Sequence, residues 1–377
     1  MTLPLAIAEP VRPDVVEPAG IDFPLGWLLE KASVPIQYRA ITEVARGPLA
    51  DTPLLATLPY TFEPALQLAF AQRPDGTWNG TMLDVPSGRG EANHDIGAIV
   101  GVRRLLEWGW DRESPPILLA RRALFRLLAE DDDPAYLYEL APKGKLELDA
   151  VRLGRSILRE ASAAVLAQAG YESDPRLRGA ARRIVARLDA FLRSPSATKP
   201  FVRVGNQHVL TPEAAPPSVH TLMMLAHMPL FRSEHYDTLD RLYTYLTQPV
   251  PRAEAAARVG KKVVAMPHLV MGDPLPHRNA ADADTPAALW WLEMLARLGF
   301  MRRNENWGKL FDRFLDDCDE RGVWQPPKRG LAMRSSNPFV WASFPLEPHA
   351  ESVDRIANVT FRLGLIARCA GRPLIVG

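Results

Sequence analysis

A glycine followed by an aromatic residue closes three apolar, helix-periodic runs in this chain: LLEWGW at Gly109-Trp110, LAQAGY at Gly170-Tyr171 and LARLGF at Gly299-Phe300. Each is followed by a second helix-periodic run, such as LLARRALFRLL or RGAARRIVARL. The glycines lie 61 and 129 residues apart, one and two lengths of a unit of roughly 65 residues. The unit without its glycine falls near residue 230, where the helix predicted over 219–228 stops at Pro229-Leu230-Phe231. Outward extrapolation finds helix ends at Gly47-Pro48 and Gly371. Glycine suits such an end because the residue after the last helical turn takes a left-handed conformation that costs glycine no strain, and the next side chain folds back on the helix.

Six helical hairpins follow from this spacing. A hairpin alone cannot bury both faces of its apolar helix, so the units must stack. The expected fold is all-α, an (α/α)6 toroid formed as a single domain over 1–377, with residues 1–25 as an irregular N-terminal arm. The 35 prolines fit this reading when they fall at helix starts and turns, as in Thr285-Pro286 and Ser114-Pro115-Pro116.

The net charge of +1, from 45 basic and 44 acidic side chains, gives no electrostatic argument for nucleic acid or an anionic membrane. No run of about 18 apolar residues reads as an integral membrane span, and MTLPLAIAEPVRPD lacks the pattern of a secretory signal, so a cytoplasmic location is expected. Cys318 and Cys369 are too few for a disulfide framework or a zinc ribbon. Oligomeric state is left open by the sequence.

Two segments follow apolar helices and resemble each other: QRPDGTW at 72–78 and CDERGVW at 318–324. Both resemble the "QW" repeats of the squalene-hopene cyclase and protein prenyltransferase toroid superfamily, whose pattern is a basic residue, an aromatic, Gln, then Gly-x-Trp. The first copy has Gln72, Gly76 and Trp78 but no basic lead; the second has Lys309, Phe314, Gly322 and Trp324, with Cys318 in place of Gln. The resemblance implies that Gln and Trp tie the end of one helix to the start of the next. The opening WLLEKASVPIQYRAITEV (27–44) is also similar to bacterial stand-alone proteins of that superfamily. An apolar small-molecule partner, isoprenoid or lipid, is the corresponding expectation.

The segment DADTPAALWWLEML resembles the DxDD motif of class II terpene cyclases, whose central Asp protonates an alkene or epoxide. On that alignment Asp282 matches the first Asp, Asp284 the proton donor, and Thr285 replaces the last Asp. Such chemistry needs a strong acid held away from water and aromatic faces around the carbocation. Trp290, Trp291, Trp324, Trp341 and Phe344 are the aromatic candidates. Asp284 or Thr285 before Pro286 reads first as an ordinary helix N-cap with proline in the first turn. His94-Asp95, at the start of another helix, forms a second acid–base candidate, with Asp95 as a cap residue the competing reading.

Six of the eight histidines lie between 208 and 277, and His220 and His227 share a helix face. No HExxH or clustered cysteine accompanies them, and the Asp-x-Cys at 316–318 sits at a helix end, so no metal is expected. The glycine-rich PSGRGEANHD (86–95) lacks the phosphate-loop pattern, and no cofactor is expected. Three long connections, 195–217, 249–283 and 325–351, precede inner helices and should gather on one rim. The last carries Arg334, Trp341 and Phe344, as a lid contacting a polar head and an apolar tail would, or as a loop capping the ring end. Two other function classes stay open: a carbohydrate-active hydrolase or lyase, with paired carboxylates in a polar groove, and a noncatalytic scaffold.

Overall fold

The computed structural model describes residues 20–83, 96–129, 148–205, 207–277, 280–326, 335, 337–347 and 351–377. Over these the chain is mostly helical, with three two-stranded sheets. In order the elements are β1 Ile21–Phe23, α1 Leu25–Lys31, α2 Val34–Arg39, a π-helical turn Ala40–Ala45, α3 Pro53–Thr57, α4 Glu63–Phe70, α5 Ala98–Glu107, α6 Pro115–Leu127, α7 Leu148–Gln168 and α8 Pro175–Arg193. Then come β2 Phe201–Val204, β3 Gln207–Leu210, α9 Val219–Ala226, α10 Pro229–Arg232, α11 Tyr236–Leu246, β4 Ala256–Val259, β5 Lys262–Ala265, α12 Ala280–Ala283, α13 Thr285–Arg297, α14 Glu305–Asp316, α15 Ser352–Ala370 and β6 Leu374–Val376.

The glycine-closed helix ends form as the sequence predicts. Gly109, Gly170, Gly299 and Gly371 all have positive φ. The amide after each bonds five residues back: Trp110 to Leu105 O, Tyr171 to Leu166 O, Phe300 to Leu295 O and Arg372 to Ala367 O, at 2.9–3.0 Å. This is the Schellman closure, and it buries the three aromatic side chains that follow the glycines. The extrapolated end at Gly47 shifts by one residue, because Arg46 takes the left-handed position. Near residue 230 no glycine is needed, since α9 ends on His227 with a negative φ and Pro229 opens α10. Pro35, Pro64, Pro116, Pro175 and Pro286 all sit in first turns.

The helices are of two kinds. Helices α9 and α13 and most of α15 are buried on nearly all sides, whereas α14 buries only Trp307, Leu310, Phe311 and Phe314, one face at i, i+3, i+4 and i+7. Successive enclosed helices pack on one another: α5 on α7, α7 on α9, α9 on α13, α13 on α15, and α15 on α2 and the π-helical turn. Outside them, α6 packs on α5 and α7, and α8 on α7 and α11. The arm expected over 1–25 ends earlier, because β1 pairs in parallel with β6, Ile21 opposite Leu374 and Phe23 opposite Val376.

The two QW-like segments fold alike. In each, the first turn amide bonds four residues on (Arg73 N to Thr77 O, Asp319 N to Val323 O) and the glycine amide bonds back (Gly76 N to Arg73 O, Gly322 N to Asp319 O). Both glycines have positive φ, and a Cβ on either would lie 2.6 or 2.4 Å from a backbone oxygen, that of Leu119 or Asp22. Trp78 and Trp324 are both fully buried. Gln72 Nε2 donates to Gly76 O (3.1 Å) and to Pro116 O (2.8 Å), joining the end of α4 to the first turn of α6. Cys318, in the equivalent place, reaches only Phe314 O of its own helix, at 3.6 Å through sulfur.

Candidate functional site

The long connections meet over the N-terminal ends of α9 and α13. Ser218 caps α9 by accepting from Thr221 N (3.0 Å), and Val219 N donates to His268 O (2.8 Å) while Val270 N donates to Pro217 O (2.7 Å). The 249–275 segment is thereby laid across the start of α9. Its far end is fixed by Asp273, whose Oδ1 accepts from Leu275 N and whose Oδ2 accepts from Trp307 Nε1 (3.0 Å) on α14. Burial raises the Asp273 carboxyl above its usual value, against the pull of these donors. Strand β3 packs against β4, which draws the 195–217 connection to the same side.

Between this segment and α13 lies a cavity of about 720 Å³. Met266, Val270, Met271, Leu275, Trp290 and Trp291 give it an apolar lining, and Arg252, Glu254, Asp284 and Asn337 supply polar groups. Asp284 is the N-cap of α13: Oδ1 accepts from Ala287 N (3.0 Å) and Oδ2 from Ser335 Oγ (2.6 Å). Ser335 Oγ also accepts from Asn337 N, and Ser335 O accepts from Trp341 Nε1 (2.8 Å), so Trp341 orders the loop that holds Asp284. Asp284 thus caps α13 and stands on the cavity wall. Asp282 turns elsewhere, to Arg313 on α14 at 2.6 Å, and Thr285 donates to Ala281 O.

Of the aromatic candidates, Trp290 and Trp291 line the cavity. Trp324 packs away from it, its amide donating to Thr360 Oγ1 on α15, and Phe344 lies under the Arg362 guanidinium, 4.9 Å from ring centre to carbon. His94, Asp95, Arg334 and the whole glycine-rich 86–95 segment lie outside the described residues. His220 and His227 part company at the two ends of α9, and among the described residues no three His, Cys, Asp or Glu side chains gather as a metal-binding group. No described helix is long and apolar enough to cross a membrane.

The centre of the helical assembly holds what the sequence reading missed, a charged network. Arg362, 0% exposed on α15, donates to Glu293 Oε2 on α13 (2.7 Å), Glu107 Oε2 on α5 (2.5 Å) and Ser343 O (2.9 Å). Arg39 on α2 donates to the same Glu107 oxygen and, through Nε and Nη2, to Glu43 on the π-helical turn. Gln168 Nε2 on α7 donates to Glu107 Oε1, and Arg297 Nε to Glu293 Oε1. Burial by itself would raise the carboxyls of Glu107 and Glu293, but the guanidinium groups, Arg362 foremost, hold both below the usual range. The signal was present in the sequence as charges set within apolar runs: Glu107 in VRRLLEWG, Glu293 in LWWLEML, Arg362 in VTFRLGL.

This network floors a polar pocket of about 560 Å³ at the C-terminal ends of α5, α7, α9 and α13. Its distance from the apolar cavity is about the length of α13, roughly 18 Å at 1.5 Å per residue. His227 lines it, with Nδ1 2.9 Å from Met223 O. A carbonyl only accepts, so Nδ1 carries the proton and Nε2 is an acceptor. Burial, then Arg297, pushes this imidazole down to about 4.

Comparison of the chain with family models, with curated proteins and with solved structures found no match.

Proposed function

We propose that the enclosed and peripheral helices form a closed α/α toroid that binds an elongated apolar molecule, an isoprenoid or lipid, in the cavity over α13. The helix-on-helix order from α5 through α15 and back to α2, and the like folding of the two QW-like turns, support the toroid. The observation that carries the ligand class is the cavity itself: about 720 Å³, walled mainly by methionine, aliphatic and tryptophan side chains, with Arg252, Glu254, the capped Asp284 and Asn337 as its polar groups. A concave, largely apolar site with few convergent polar groups is the usual form of a small-molecule pocket. Methionines adapt their shape to irregular hydrocarbon surfaces, and tryptophan faces favour chains bearing double bonds.

Asp284 is the group on which a class II-type cyclisation would depend. Both of its oxygens accept hydrogen bonds, so proton donation to an alkene requires a proton on an oxygen that now serves Ala287 N or Ser335 Oγ. Binding without cyclisation needs no such rearrangement. The carbohydrate-active alternative is weakened by the polar pocket, because Glu43 and Glu107 are already bonded to Arg39.

The test is tryptophan quenching and thermal shift with geranylgeraniol and squalene, beside mass spectrometry of products from squalene, farnesyl diphosphate and geranylgeranyl diphosphate. Saturable binding that Ala287→Phe abolishes by filling the cavity supports the reading. A cyclised product lost in Asp284→Asn adds the chemistry. Absence of binding to every one of these lipids by the wild-type protein refutes the proposal.

A further inference from the structure

Back to back with the apolar cavity lies a smaller one, about 150 Å³, between α5 and α9. The two share walls: Val219, Pro267 and Asn337 face the large cavity, and their neighbours His220, His268 and Pro338 the small one. Its volume is about ten times the ~15 Å³ that one water requires. It is not dry in character, because Arg103, His220 and His268 line it.

Arg103 is 5% exposed, and its hydrogen bonding is incomplete. Nη1 donates to Phe339 O (2.9 Å), and the buried Nε has no partner. Among the described residues no carboxylate lies within ion-pairing distance of its guanidinium. The charges nearby explain why. Arg39, Arg103, Arg297 and Arg362 stand against Glu43, Glu107 and Glu293, and the three glutamates are bonded to the other three arginines. Within this set of described charges one positive charge is unmatched, that of Arg103, and an unmatched buried charge is especially unfavourable; the next buried carboxylate, Glu160, acts on His268 instead. Burial, only partly offset by the more distant Glu107 and Glu293, pushes this guanidinium down to about 10.

His220, 4% exposed, adds a second unsatisfied group. Its Nε2 is buried without a partner, and its ring meets Phe339 edge-on at 5.6 Å, which fixes the imidazole plane. The first turns of α5 (Ile99, Val100) and α9 (His220) also line the cavity, but their leading amides are already bonded, Ala98 N to Thr81 O, Ile99 N to Met82 O, Val219 N to His268 O and Thr221 N to Ser218 Oγ, so the side chains carry the site. A guanidinium with an unpartnered Nε and imidazoles that can donate through a ring nitrogen share one preference, a small anion with oxygen acceptors.

We infer that this cavity is an oxyanion site, in which Arg103, assisted by His220 and His268, binds a carboxylate or phosphate group. The group arrives either as a free ion or as the head of a molecule whose apolar part occupies the adjoining cavity. The inference stands on the small cavity's own residues, so it survives failure of the apolar-ligand reading.

The experiment is a thermal-shift titration at constant ionic strength in chloride, with phosphate, acetate, dodecanoate and neutral dodecanol, on the wild type and Arg103→Met. A saturable rise in Tm with phosphate or acetate, at least fivefold weaker in Arg103→Met, establishes a free-ion site. A rise with dodecanoate alone, lost in Arg103→Met while dodecanol still acts on both proteins, establishes a head-group site. The variant without added oxyanion should melt no lower than the wild type, because an uncompensated charge has been removed. No shift in the wild type with phosphate, acetate or dodecanoate overturns the inference, as does a shift of equal size in Arg103→Met. Should Arg103→Met fail to fold, the same comparison is made with His220→Leu, whose response must also be weakened.

Discussion

Replacing Arg362 by Met tests whether the buried network holds the enclosed helices together. Met keeps much of the aliphatic stem and removes two ion pairs, at 2.7 Å to Glu293 and 2.5 Å to Glu107, and a bond to Ser343 O. Removing one partner from a buried pair costs about 3–5 kcal/mol, because the other charge stays buried without compensation. Arg297 still bonds Glu293, and Arg39 and Gln168 still bond Glu107, so the lower end, about 3 kcal/mol, is expected. With a urea dependence of about 2 kcal/mol per M, the unfolding midpoint should fall by roughly 1.5 M. The pH dependence has a definite sign. The folded-state carboxyls of Glu107 and Glu293 are depressed, so their stabilisation is fully present above the unfolded value near 4.3 and is lost as pH falls toward the folded values. Without Arg362 the depression shrinks. The gap between wild type and variant should therefore be widest above about pH 5 and narrow as pH falls below about 4. A loss under about 1 kcal/mol at pH 7, or a gap that widens in acid, refutes the network as a stabilising unit.

Gly322→Ala and Gly76→Ala should each cost about 2–4 kcal/mol, since a Cβ meets a backbone oxygen at 2.4 or 2.6 Å on top of a left-handed φ. Gly299→Ala, with nothing within 4 Å of its Cβ, should cost only about 1 kcal/mol in the same urea titrations, and equal losses at the three sites would discredit the close-approach argument. Gln72→Ala should cost about 1–2 kcal/mol by freeing the Gly76 and Pro116 carbonyls, which chemical denaturation reads directly. Glu347 is pushed up to about 7, chiefly by burial and against the Ser33 amide that donates to both its oxygens. Its raised folded value makes a contribution present below about pH 4.3 and lost as pH rises through 7, worth about 3–4 kcal/mol in all. Glu347→Gln should therefore flatten the stability profile between pH 5 and 8, and an unchanged slope would remove Glu347 as its source.

The local grammar of this chain was open to reading from residues alone. A Schellman end, a proline in a first turn and a QW-like turn are each closed by hydrogen bonds between residues a few positions apart, as Phe300 N to Leu295 O and Asp319 N to Val323 O illustrate. The capping role of Asp284 was legible for this reason, because Pro286 and Ala287 are its near neighbours. Its place on a cavity wall was not, since that wall needs Met266 and Met271 from a loop and Ser335 from another. Trp324 and Phe344 show the converse: an aromatic residue in the right stretch of sequence faces α15 or Arg362 instead, because side-chain direction is set by the helix packed against it. The central charges depended most on tertiary structure. Arg362 and Glu107 are 255 residues apart, and a lone charge in an apolar helix becomes tolerable only when a distant helix brings its counter-charge. Hydrogen bonds within a turn are decided by local backbone geometry, whereas ion pairs and cavities are decided by which faces meet once the hydrophobic surfaces of all the helices have been buried.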